Sequence, residues 1–221
     1  CALGGVPLSD ANEAVKELER CMKQLKFKGV EILTNVDGKE LSDPAFAPFW
    51  KKAEELGALV MIHPNGFTEA DRLSRFYFNN VIGNPLETTI ALHYLIFDGV
   101  LERHPNLKIF AVHGGGYLGS YANRSDAVIR TFPNRVGPLP KKKPTQYLKD
   151  GQLFFDTIVF TPEALRHLIA ESGVGQIMIG TDYPFPWTST EVDLVLNTPG
   201  LSDADKIAIL GGTATKLLGI K

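Results

Sequence analysis

Three apolar runs in this 221-residue chain end in the same way, on a metal-competent side chain with Gly or Pro close behind. They are Val60-Met61-Ile62-His63-Pro64, Phe110-Ala111-Val112-His113-Gly114-Gly115-Gly116 and Met178-Ile179-Gly180-Thr181-Asp182-Tyr183-Pro184. Two imidazoles and a carboxylate suit Zn²⁺ or a similar divalent ion. A bound ion could activate water or polarise a substrate oxygen. Taken singly, each residue has a plain structural reading. A lone His at a strand end is often only a hydrogen-bonded polar group, and Asp182 could cap the turn after it. Three equivalent positions on three runs are harder to dismiss. The other histidines carry no such signal: His93 reads as helix packing, and His104 and His167 as exposed positions. The run Lys141-Lys142-Lys143 reads as a solvated loop.

Alternating elements must position these ends. Strands are expected at Ala2–Leu8, Gly29–Leu33, Ala58–Ile62, Leu107–Val112, Leu153–Val159 and Gln176–Gly180. Helices are expected between them. One opens on the Asp10/Glu13 capping pattern, one spans Ala45–Leu56 and stops at Gly57, and one runs from Pro85 to about Glu102. A further helix starts at Thr161-Pro162, and Ser202 caps a terminal helical region. The segment 64–84 reads as a long loop or irregular helix, and 131–147 as an exposed excursion. Continuous apolar strands alternating with helices imply a parallel sheet covered on both faces. No linker or composition break divides the chain, so residues 1–221 read as one domain. The first strand has no Gly-rich phosphate turn after it, which counts against a nucleotide-binding fold. A (β/α)8 barrel, whose strand ends converge on one mouth, accounts better for the three runs.

Composition narrows the class. The chain is 44% hydrophobic and 22% charged, which excludes a disordered or fibrous protein. Its 23 basic residues are offset by 25 acidic ones, which argues against a nucleic-acid partner. No apolar run is long enough to span a bilayer, and Cys1 and Cys21 read as free thiols in a reducing compartment. The expected location is the cytoplasm.

The motifs His63-Pro64, His113-Gly114-Gly115-Gly116 and Gly180-Thr181-Asp182-Tyr183-Pro184-Phe185-Pro186 resemble the amidohydrolase superfamily. More closely, they resemble its branch around aminocarboxymuconate semialdehyde decarboxylase. Asp43-Pro44-Ala45-Phe46, Gly83-Asn84-Pro85-Leu86-Glu87-Thr88, Asp156-Thr157 and Ile209-Leu210-Gly211-Gly212-Thr213-Ala214 extend the likeness over nearly the whole chain, although Thr213 stands where Asn is usual. The resemblance implies that His63 is a metal ligand from the fifth strand of a complete barrel. It implies that His113, from the sixth, acts in proton transfer beside the metal, and that Asp182, from the eighth, is a second ligand. Arg124 matches an Arg that reaches a neighbouring subunit to hold a substrate carboxylate, so a homodimer is expected. Phe76 belongs with Phe67, Tyr77 and Phe78 to an aromatic loop that could wall the substrate from water.

The departures are as informative. The branch opens its metal site with a His-x-His or Glu-x-His pair on the first strand, and this chain has neither. Only two strands are read before His63, where four are needed, so the sequence is expected to lack the first two β/α units and to hold an incomplete metal site. Binuclear members carry a bridging Lys at the end of the fourth strand. Ile32-Leu33-Thr34-Asn35 has none, so a single divalent ion is expected, Zn²⁺ foremost, with Mn²⁺ or Co²⁺ as alternatives. The implied activity is metal-dependent, non-oxidative decarboxylation of a small unsaturated or aromatic carboxylic acid. A hydrolase or hydratase on the same scaffold is the alternative, and a non-catalytic barrel subunit the third reading.

Overall fold

The computed structural model describes residues 1–138, 140–186 and 190–220. Its frame is a six-stranded sheet: β1 (Leu3–Gly5), β2 (Gly29–Leu33), β3 (Leu59–His63), β4 (Lys108–Ala111), β5 (Leu153–Asp156) and β6 (Ile177–Met178). The strands lie side by side in chain order, and every neighbouring pair is parallel. This is the α/β barrel arrangement as an arc of six strands, with β1 and β6 at its two edges. The register aligns the strand ends: Ile62 faces Ala111, Ala111 faces Phe155, and Asp156 faces Met178. His63, His113 and Asp156 therefore lie at the same end of the sheet. At the start of β2 the strands approach too closely for a side chain. A Cβ on Gly29 would lie 1.8 Å from the Leu59 carbonyl oxygen.

Helices cover the outer face. They include α1 (Ala11–Glu19), α2 (Ala47–Leu56), α3 (Asn84–Phe97), α4 (Leu118–Thr131), α5 (Pro162–Ser172) and α6 (Glu191–Asn197). Val30, Ile32, Val60, Ile62, Ile109, Ala111 and Phe155 are buried with Leu18, Phe49, Trp50, Leu92, Leu95 and Leu118 in one core. The opposite, concave face is also apolar: Leu3, Leu59, Phe110 and Met178 line a cavity of about 240 Å³. Helix ends follow local chemistry. Asp10 accepts from the N–H groups of Asn12 and Glu13, Thr161 accepts from that of Ala164, and Gly57 closes α2 in the left-handed conformation.

Several expected boundaries shift. The first, fifth and sixth strands are shorter than the apolar runs, because the chain turns away at Val6, Thr157 and Ile179 to build loops. The Asn35–Gly38 loop is the turn of a small hairpin, Asn35–Val36 with Lys39–Glu40, with Asp37 and Gly38 both at positive φ. The expected helix from Pro85 to Glu102 breaks at Asp98-Gly99, where Gly99 takes a left-handed conformation, and resumes at Val100. The 131–147 excursion is not wholly exposed. It contains short helices at Pro133–Val136 and Pro144–Tyr147, and Tyr147 is fully buried.

Candidate metal centre and active site

His63 is the last residue of β3, and its ring meets that of His113 edge-on, 5.3 Å between centroids. Asp182 follows β6 across Ile179-Gly180-Thr181. One ligand atom each from His63, His113 and Asp182 lie within 4.8 Å of one another, and no other such trio of His, Cys, Asp or Glu occurs among the described residues. All three are partly buried.

The local backbone is shaped to present them. His113 and Asp182 both adopt positive φ, 56° and 53°, a conformation that non-glycine residues hold only when their surroundings impose it. At His113 the imposing group is Asp156, the last residue of β5. Its carboxylate accepts the N–H groups of His113 (2.8 Å), Gly114 (2.7 Å) and Ile158 (3.1 Å). Asp156 in turn packs against a bare backbone, since a Cβ on Gly180 would lie 2.6 Å from its own Cβ. Just past β5, the Thr157 hydroxyl accepts the Gly180 N–H at 3.2 Å. The ends of β4, β5 and β6 are thus tied together by two consecutive side chains.

The electrostatics are set by burial and by neighbouring charges. Burial holds the His113 imidazole below its usual pKa, while the Asp156 and Asp182 carboxylates pull it upward and His63 pushes it down. Burial raises the Asp156 pKa, against the opposing effect of His113 and three backbone donors. Nδ1 of His113 is buried without a hydrogen-bond partner among the described residues. An orphaned imidazole nitrogen, with a second imidazole and a carboxylate facing it, is the donor set a divalent cation takes. The residues present fit such an ion.

Sequence reasoning pointed to His63, His113 and Asp182, and the fold brings these three together. Arg124 and Phe76 are not part of the cluster. Arg124 lies on the exposed side of α4 and makes no ion pair among the described residues. Phe76 is 70% exposed, at φ 57°, with its ring 5.5 Å from Phe78 and under the Arg75 guanidinium. The loop carrying it is anchored by polar side chains. Asn84 accepts the Gly66 N–H, Asn79 that of Phe67, and the buried Glu87 accepts both the N–H and the hydroxyl of Thr68. His104 departs from expectation: it is not exposed, but holds Glu54 at 2.9 Å between α2 and the turn after α3. His93 packs as expected, bonded to Thr89 and Ser125.

Two acids had no assigned role. Asp156 repeats the pattern of the three runs, apolar residues ending on a polar one, and that signal was available. Glu191 had none, because an acid in a first helical turn reads as ordinary dipole complementarity.

Comparison with known proteins agrees with this geometry. The family described as Amidohydrolase matches residues 1–220. A 2-amino-3-carboxymuconate-6-semialdehyde decarboxylase from Dictyostelium discoideum is 34% identical over 219 residues, covering 99% of this chain and 60% of the relative. The chain therefore spans about three fifths of the length of that relative. The structure of 5-carboxyvanillate decarboxylase from Sphingomonas paucimobilis superposes with a TM-score of 0.89 at 28% identity, covering 99% of this chain and 66% of the other. A dihydroxybenzoic acid decarboxylase from Polaromonas, solved with bound manganese and the inhibitor 2-nitroresorcinol, gives 0.83 at 27% identity, covering 100% and 68%. With its family matched end to end and its strand-end residues gathered as the fold requires, the chain belongs to the amidohydrolase family, in the branch of the 2-amino-3-carboxymuconate-6-semialdehyde decarboxylases.

Proposed function

We propose that the whole protein is a metal-dependent carboxy-lyase that removes CO₂, without oxidation, from a small aromatic or unsaturated carboxylic acid. The observation that carries this reading is the convergence of His63, His113 and Asp182 in a chain similar over its length to decarboxylases. His63 and Asp182 would hold a divalent ion. Zn²⁺, Mn²⁺ and Co²⁺ all suit imidazole and carboxylate ligands, and manganese in the Polaromonas relative supports the same class. Such an ion, when bound, supplies positive charge that orients the substrate oxygens and steadies negative charge on them.

The chain's own residues do the rest. His113 delivers a proton to the carbon that loses its carboxylate. The C–C bond breaks, its electron pair stays on that carbon to form the new C–H bond, and the carboxylate leaves as CO₂. One proton is consumed per turnover and is restored to His113 from water. Burial lowers the His113 pKa and so makes the imidazolium a readier proton donor, and the carboxylates of Asp156 and Asp182 partly offset that lowering. Phe76 and its neighbours exclude water from the reacting carbon. Arg124, exposed on α4 and without an ion pair among the described residues, binds a substrate carboxylate across a homodimer interface. Two free thiols and the absence of a membrane-crossing helix among the described residues support a cytoplasmic setting.

Incubation with a panel of hydroxybenzoic and unsaturated dicarboxylic acids, read by CO₂ release and product mass, tests the reading. Products lighter by CO₂ are expected. Addition of water to a substrate, with no CO₂, would favour a hydrolase or hydratase instead.

A further inference from the structure

Glu191 is a buried acid outside the His63–His113–Asp182 cluster, on the first turn of α6. It is 1% exposed, and its Oε2 is buried with no hydrogen-bond partner among the described residues. An ionised carboxylate in that position gives up hydration with nothing in return. Burial and the Asp156 carboxylate push its pKa up to about 7, and the Thr157 hydroxyl draws it part of the way back. Asp156 is the charged group that acts on it. Helix α5, packed against α6, carries Glu163, Arg166, His167 and Glu171, none of which contributes. The Ala208–Gly212 turn, also packed against α6, has no titratable side chain.

The two acids are unequally provided. Asp156 receives three backbone N–H groups, whereas Glu191 leaves one oxygen bare. Neighbouring buried carboxyls do not both ionise at low cost, and the donors decide which keeps the charge. Glu191 also borders Thr157, which ties β5 to Gly180, two residues before Asp182.

We propose that Glu191 is a positioning residue: it fills the compartment beside Asp156 as the protonated acid, so that Asp156 stays ionised on the N–H groups of His113 and Gly114 and holds the His113 turn. Loss of the Glu191 proton puts a second negative charge beside Asp156 and loosens that turn. The proposal deepens the reading of His113 as the proton-transfer group and depends on that reading only for its effect on turnover. The sign follows from linkage. A carboxyl raised on folding from 4.5 to about 7 contributes stability that is complete below pH 4.5 and lost as pH rises through about 7.

Backbone amide exchange at His113, Gly114 and Ile158, corrected for intrinsic pH dependence, tests this in the wild type and in Glu191→Gln. Between about pH 6 and about pH 8.5, protection is expected to fall at least about tenfold in the wild type and less than about twofold in the variant. Equal pH dependence in the two proteins would overturn the proposal. If Glu191→Gln does not fold, the wild type decides alone. A fall at these three amides larger than the fall shared by the core strands supports the proposal, while an equal fall throughout, or no fall, overturns it. The measurement needs neither substrate nor metal, so a protein that proves not to decarboxylate leaves this result standing.

Discussion

The outer helical layer and the mouth of the sheet obey different rules. In the outer layer each local choice agrees with the fold. Asp10 and Thr161 cap their helices, Gly57 ends one, and exposed pairs such as Lys16–Glu13, Lys23–Glu19 and Arg166–Glu163 sit at helical spacing. At the mouth, local preferences are overridden. His113 and Asp182 take left-handed backbone conformations, as do Phe76, Tyr77 and Phe160 on loops that follow β3 and β5. His113 Nδ1 and Glu191 Oε2 are buried without hydrogen-bond partners among the described residues, and Asp156 is an acid sunk in the core. Consistency across levels specifies a scaffold, and departures from it gather where chemistry is done.

The contrast can be attacked at graded positions. Asp156→Ala should have the largest effect. It strands three buried N–H groups and should cost at least about 3 kcal/mol in chemical denaturation, together with turnover. His113→Ala should spare the fold yet lower kcat by about 10²–10⁴-fold; retained turnover would remove its role in proton transfer. Gly180→Ala drives a methyl into Asp156 and should cost about 1–3 kcal/mol, read as a fall in the urea midpoint. In the outer layer, Asp10→Ala removes a helix cap and should cost only about 1 kcal/mol. Lys23→Ala, at an exposed ion pair, should leave the melting temperature unchanged. A large effect at Lys23 or a negligible one at Asp156 would erase the distinction.

The same contrast explains what could be read in advance. The scaffold was legible because its signals are local: apolar runs of strand length, Asp10 and Thr161 at helix starts, and Gly57 at a helix end. The cluster was legible because His63, His113 and Asp182 each close such a run. Strand ends were overestimated where apolar residues continue past the ladder. Ile158 and Val159 follow β5 but serve the loop that Asp156 organises. The break at Gly99 and the buried Tyr147 depend on neighbours distant in sequence. Glu191 was out of reach for the same reason, since its partner Asp156 lies 35 positions earlier and its significance is a missing hydrogen bond.

The central claim is that the mouth is a metal-dependent site built on His63 and Asp182. Metal content of the purified whole protein, by atomic emission, tests it most directly when wild type is set beside His63→Ala and Asp182→Ala. A single divalent ion per chain in the wild type, and at least about a hundredfold weaker retention in both variants, is the predicted result. Equal metal content in all three proteins, or none in a wild type that still releases CO₂, would contradict it.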